Sequence, residues 1–325
     1  MNFRTIVKLP DFDFEITHKH KCLLIGSCFA ENMGEKLSGT KIPNLVNPTG
    51  INYNPASIYN TLRTIMELSF LKSEDLFLSN ELWNSFSFHS KFSGISKNNT
   101  LENINNSIEK SNSFLKSCDY LFITLGTSYY YLLKEKGIIV SNCHKQPSEI
   151  FERKFLEPEC IKNLWNDLIK ELKAFNTKLK IIFTVSPIRH WKDGAIDNMY
   201  SKSSLHLAIR DLLINNEFKD MYYFPAYEIV NDELRDYRFY AEDMIHPSAT
   251  AIEYIWERFG DAFFSNETII LNKKINKIIQ ASKHRPFNKD TNKYKVFCEK
   301  ILNEILTIEN NHPYLNMDEE KNNFI

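Results

Sequence analysis

The stretch Lys21-Cys-Leu-Leu-Ile-Gly-Ser-Cys-Phe-Ala-Glu31 decides how the rest of the chain is read. Cys22 to Ile25 is a short apolar run of the kind a fully buried strand requires, and it stops at Gly26. Two small reactive residues, Ser27 and Cys28, follow at once, and Phe29 to Leu37 then carries a helical pattern. A nucleophile between a strand's end and a helix's first turn sits among unpaired backbone N–H groups, at the positive end of the helix dipole. Those donors favour an anion, whether a thiolate or a tetrahedral oxyanion. The turn therefore reads as one half of an acyl-transfer site, with the other half expected at Asp243-Met-Ile-His246.

Working outward, the segments Asn44–Val46, Tyr120–Leu125, Lys180–Val185 and Met221–Phe224 read as further buried strands. Helical patterns separate most of them. Asn54-Pro55 supplies a cap and a first-turn proline for a helix running to about Leu68, and Leu101–Cys118 is a weaker one. Glu157–Phe175 repeats Ile161, Leu164, Trp165, Leu168, Leu172 and Phe175 at helical spacing, and Ser204–Ile214 and Ser248–Phe263 complete the set. This alternation predicts an α/β chain: a three-layer α/β/α sandwich around a mainly parallel five-stranded sheet, with ligands at the strands' carboxyl ends. Residues 1–265 are assigned to that domain and 266–325 to a helical C-terminal extension whose last dozen residues are expected to be loose. Leu82–Phe92, read as a partly alternating exposed strand, and Tyr129–Ser141, read as a hairpin turning at Glu135-Lys136-Gly137, are expected to form a rim above the sheet.

Composition narrows the function classes. A chain of 325 residues, 43% hydrophobic and 25% charged, is an ordinary globular protein. A formal net charge of -1 gives no electrostatic case for nucleic acid or an anionic membrane. The first fifteen residues lack the apolar core of a signal peptide, and no window reaches the roughly 18 apolar residues of a membrane span. The six cysteines form no CxxC pair, which argues against structural zinc and favours a reducing compartment; a cytoplasmic protein is expected.

Asp243 and His246 are three residues apart and precede Pro247, so a tight turn can let the carboxylate orient the imidazole through Nδ1 while Nε2 faces a nucleophile. With Gly26-Ser-Cys-Phe-Ala-Glu31, Leu125-Gly-Thr-Ser128 and Asp243-Met-Ile-His-Pro247 in this order, the chain resembles the GSCFA family, a branch of the SGNH (GDSL-type) hydrolase superfamily. The resemblance spans roughly residues 20 to 260. It implies a flavodoxin-like three-layer fold and hydrolase or acyltransferase chemistry on ester bonds. It also implies roles for single residues. The superfamily's nucleophile slot falls on Cys28, Gly50 in Asn47-Pro-Thr-Gly50 lends a backbone N–H to the oxyanion, and Ser128 stands where an asparagine amide is usual. A hydroxyl is a poorer donor there, and Asn142 is a candidate substitute. Ser27, one position early, is the competing nucleophile; a thiol at Cys28 beside an imidazole is expected to have a depressed pKa.

Gly126-Thr-Ser128 resembles the start of a nucleophile elbow but lacks its second glycine. Cys143 and His144 are sequence neighbours and would point apart, though His144 can line the pocket. His18 and His20 make at most half a metal site and read as an exposed pair. Arg189, in Ser186-Pro-Ile-Arg189-His190-Trp191, can hold an anionic group or simply pair with an acidic loop. Asn198 and Ser201-Lys202 read as a helix cap, and His89 with Phe86, Phe88 and Phe92 as a roof or as plain packing. The expected protein is thus an esterase or deacylase with a Cys28 or Ser27 nucleophile, His246 as base and Asp243 as orienter. It acts on a small-molecule or glycan acyl ester and requires no metal or organic cofactor. The alternatives are an acyltransferase, which needs an acyl donor, and a non-catalytic binder of glycan or acyl ligands.

Overall fold

In the computed structural model, which describes residues 4–189, 191–214, 217–283, 288 and 290–324, the apolar run becomes strand β1 (Cys22–Gly26), buried along its whole length. It leads into helix α1 (Cys28–Gly39), and the chain continues with β2 (Asn44–Val46) and α2 (Pro55–Glu67). The short hairpin of β3 (Phe77–Ser79) and β4 (Leu82–Asn84) precedes α3 (Lys97–Ser117) and β5 (Tyr120–Leu125). Next come β6 (Tyr129–Leu133), β7 (Ile138–Val140) and β8 (Phe151–Phe155), then α4 (Pro158–Phe175), β9 (Lys180–Val185), α5 (Gly194–Ile214) and β10 (Met221–Tyr223). A short helix α6 (Ala226–Glu228), α7 (Ala249–Phe263) and the C-terminal helices α8 (Asn266–Lys283), α9 (Asn292–Asn311) and α10 (Asp318–Lys321) finish the chain.

The central sheet has the order β10-β9-β5-β1-β2, with every pairing parallel. Counting sheet strands alone, that order is 2-1-3-4-5, the flavodoxin-like arrangement, whose order reverses between β1 and β5. Alternate residues of the strands feed two cores. Leu23, Ile25, Leu121, Ile123 and Phe183 pack beneath α2, α4 and α5, whereas Cys22, Leu24, Tyr120, Phe122 and Ile182 pack beneath α1 and α7. Apolar residues on both faces are why each strand reads as an unbroken apolar run. Truncating a fully buried position such as Leu172 to Ala should cost about 2–5 kcal/mol.

The five strands and α/β/α layers agree with the sequence expectation, and several details differ. Helix α5 begins at Gly194, ten residues before the expected Ser204, because its first turns bury small polar residues that leave no apolar period. Leu82–Phe92 is strand only over Leu82–Asn84 and closes in a 3-10 turn at Ser90–Phe92. The hairpin of β6 and β7 gains a third strand, β8, on the other edge of β6. The tail is not loose. Leu315, Met317 and Phe324 join Leu271, Ile275, Ile301 and Ile305 in a separate apolar core, and Glu320 pairs with Lys41 at 2.6 Å.

Candidate active site

Because helices return antiparallel to the strands they follow, the helix starts and the strands' carboxyl ends share one edge of the sheet. There Ser27 N–H donates to the Thr124 carbonyl (3.2 Å), Asn47 N–H to Leu24, Asn52 N–H to Gly26 and Ser186 N–H to Leu125. These crossings knit the loops after β1, β2, β5 and β9 into a single surface. Asn47 adds a side-chain clamp: its Oδ1 accepts the Gly26 N–H at 2.9 Å, just before the candidate nucleophiles.

Ser27 and Cys28 have different jobs in that surface. Ser27 is the N-cap of α1; its Oγ accepts the Phe29 N–H at 3.3 Å and the residue is 1% exposed. Cys28 is the first helical residue and is only half-buried. Its thiol is not activated at rest. Burial pushes its pKa up and the Glu31 carboxylate adds to that, against smaller opposing help from the Cys28 and Phe29 backbone N–H groups and from Lys202. The expected depression of this thiol is therefore overturned: a helix N-terminus is one influence here and burial is the larger.

At the other end of the domain, the turn before α7 places Asp243 Oδ2 2.5 Å from His246 Nδ1. Asp243 Oδ1 also accepts the backbone N–H groups of Ile245 and His246, both at 2.9 Å. Those backbone bonds and the imidazole contact hold the Asp243 carboxyl down at about 2. With Nδ1 engaged, Nε2 is the ring nitrogen left to exchange a proton. No hydrogen bond joins His246 to Ser27 or Cys28.

The remaining sequence candidates fall into place unevenly. Gly50 has φ 93°, and its N–H is committed to the Asn47 carbonyl at 2.8 Å. Ser128 is fully buried, with Oγ donating to the Ser201 carbonyl at 2.9 Å and N–H donating to Ser201 Oγ at 2.7 Å. Asn142 Oδ1 accepts the His144 N–H at 2.8 Å, and its amide nitrogen is 3.5 Å from Ser90 Oγ. His144 is buried with Nε2 at 2.8 and 3.0 Å from the Ser85 and Phe88 carbonyls, so its Nε2 carries a hydrogen and donates to the β4–α3 loop. Phe88 itself packs with Leu76, Ile104 and Ile108, while His89 lies against Gly50. His18 is buried, not half of an exposed pair, and His20 caps Thr17. Among the described residues no group of three or more His, Cys, Asp or Glu is placed to hold a metal ion. His190 lies outside the described residues.

The GSCFA family model matches residues 21–259, more than half of the chain, and the model of the GSCFA domain protein C-terminal domain matches residues 275–324. The chain belongs to the GSCFA family. No curated protein matches this GSCFA chain significantly. Among solved structures it is similar to an acetyl xylan esterase (Est2A) from the rumen bacterium Butyrivibrio proteoclasticus, at 10% identity and a TM-score of 0.37. That likeness covers 74% of this chain, which spans 64% of the esterase chain's length. Among the described residues, no helix of the GSCFA chain is long and apolar enough to cross a membrane.

Ser201 and Lys202 differ from the expected helix cap: both lie inside α5 and are buried. Lys202 is the more consequential of the two. Its ammonium donates to the Gly126 carbonyl (2.7 Å) and the Ser186 carbonyl (2.8 Å), bridging the ends of β5 and β9. Burial first, and then the nearby Arg189 charge, lower its pKa to about 7. Tyr53, whose carbonyl accepts the Gly126 and Thr127 N–H groups, has a phenol raised by burial and by the adjacent Cys28 and Glu31. Neither residue carries a sequence signal, because each is recruited by its position on the folded edge.

Proposed function

We propose that this GSCFA protein is an ester hydrolase of SGNH type, in which Cys28 attacks the acyl carbon, His246 is the base and Asp243 orients it. The observation that carries the reading is the Asp243–His246 couple, with the carboxylate on Nδ1 and Nε2 left for proton transfer. Cys28 is preferred to Ser27 because Ser27 spends its oxygen on the helix cap while Cys28 is the more exposed. A thiol whose pKa is raised is protonated at rest, so its proton passes to His246 Nε2 as sulfur bonds to the acyl carbon. The C–O bond then breaks, His246 protonates the departing alkoxide, and a thioester remains. Water activated by His246 hydrolyses it and regenerates the thiol. The same thioester, attacked by a second alcohol, would make the protein an acyltransferase.

The Cys28 backbone N–H at the start of α1 is the donor that supports an oxyanion, since the N–H groups of Ser27, Phe29, Ala30 and Gly50 and the Ser128 hydroxyl are already engaged. That engagement favours one second reading, a protein that binds an acylated ligand without cleaving it. Chromogenic short-chain aryl esters distinguish the two. Hydrolysis that persists in Ser27→Ala and is lost in Cys28→Ala and His246→Ala supports the assignment. Activity that survives both of the latter substitutions refutes the site, and a wild-type protein inert on every ester favours the binder.

A further inference from the structure

We propose that Arg189 heads an anion-binding subsite next to His246, and that the substrate carries a carboxylate or phosphate on a ring adjoining its ester. The placement of the ester rests on His246 being the base; the binding of the anion does not.

Arg189 lines a cavity of about 220 Å3 together with Trp191, Tyr237, Tyr240, Met244 and Ile245. Met244 and Ile245 belong to the turn that Asp243 holds, and they directly precede His246, so the cavity is walled in part by the turn that carries the base. Its volume is below the roughly 300–1,000 Å3 of a complete ligand pocket and suits a single ring. Trp191 and Tyr237, 52% and 75% exposed, offer flat apolar faces at its mouth.

The guanidinium is under-used. Arg189 Nε reaches Asn198 Oδ1 at 3.3 Å and one terminal nitrogen reaches the Ala195 carbonyl at 3.5 Å, both at the long end of hydrogen bonding. Among the described residues no carboxylate pairs with it. The other charged groups on the cavity are already matched: Arg235 with Asp232 at 2.7 Å, and Asp236 with Arg238 at 2.8 Å. Arg189 also sits 5.7 Å from the Trp191 ring, so a planar fork and an aromatic face adjoin. Arg189 thus brings a permanent charge whose N–H donors are held only by long hydrogen bonds, which is the chemistry that selects a carboxylate or a phosphate over a neutral hydroxyl.

Calorimetric titration of the full chain with D-glucuronate, glucose 6-phosphate and uncharged D-glucose tests this. At least one anion should bind about tenfold or more tighter than D-glucose, and the better of the two identifies the group. Arg189→Gln should reduce that anion to the D-glucose level, Arg189→Lys should recover part of the preference, and Trp191→Ala should weaken all three sugars alike. Cys28→Ala should bind as wild type does, so loss of the hydrolase reading would leave the subsite standing. Anions that bind no better than D-glucose, or a preference that survives in folded Arg189→Gln, would overturn it.

Discussion

Asp243 holds His246 twice, through Oδ2 to the imidazole Nδ1 at 2.5 Å and through Oδ1 to the backbone N–H at 2.9 Å. Ring and backbone are thereby set by the same carboxylate, within a turn whose Met244 has φ 58°. Substituting Asp243→Asn removes the charge and permits the wrong imidazole tautomer. On the proposed mechanism we expect kcat on an aryl ester to fall by about 10⁴, with a near-ultraviolet circular dichroism spectrum like wild type's. Stability should respond with a defined sign. The folded carboxyl is lowered from 3.8 to about 2, so its contribution is fully present above 3.8 and is lost as pH falls through about 2. Unfolding curves of wild type and Asp243→Asn should therefore converge between pH 4 and pH 2.

The two neighbouring candidates separate by what each loses. Ser27→Ala removes an N-cap and should cost about 1 kcal/mol in denaturant unfolding, with hydrolysis retained. Cys28→Ala should abolish hydrolysis and leave stability almost unchanged. The reverse pattern would make Ser27 the nucleophile.

Alkylation of Cys28 reports its electrostatics directly. Because burial and Glu31 disfavour the thiolate, peptide mapping after iodoacetamide treatment should show slow labelling of Cys28 at pH 7 and a rate that climbs beyond pH 9. Glu31→Gln removes the second of those influences and should speed labelling at pH 8. An unchanged rate would mean that burial acts alone.

Lys202 is lowered from 10.5 to about 7 in the folded protein. Between those values the unfolded chain binds the proton that the folded one has released, so this group makes stability rise with pH from about 7 to 10.5. Lys202→Met should flatten that rise between pH 7 and pH 9, as read from urea midpoints. It also leaves the Gly126 and Ser186 carbonyls without their donor, which should cost about 1–3 kcal/mol.

Gly50 is required for space. A Cβ there would stand 1.9 Å from the His89 Cβ, at a φ of 93° that side chains rarely adopt. Gly50→Ala should destabilise by about 1–3 kcal/mol and disturb the loop beside the site. Its denaturation midpoint against that of Gly39→Ala, where nothing lies within 4 Å, separates crowding from the general effect of replacing glycine.

Strands and most helices could be read from the chain because burial on both faces of β1, β5 and β9 demands uninterrupted apolar runs, and α4 carries its core contacts at helical spacing. The start of α5 could not, since Asn198, Ser201 and Lys202 are buried by hydrogen bonding, which leaves no hydrophobic period. β8 was hidden for a different reason: Phe-Glu-Arg-Lys-Phe pairs along one edge of β6 and buries only its terminal Phe151 fully, while the three charged residues between the phenylalanines leave no apolar run. The Asp243-Met-Ile-His246 turn was legible because its hydrogen bonds close within four residues. By itself, then, the sequence determined the local units: the strand–turn–helix at Ser27 and Cys28, the aspartate–histidine turn and the order of the sheet-forming segments. Tertiary structure alone decided the electrostatics of that opening turn. Desolvation of Cys28, the reach of Glu31 and the burial of Lys202 depend on which distant side chains displace water around them, and adjacency along the chain carries no record of that.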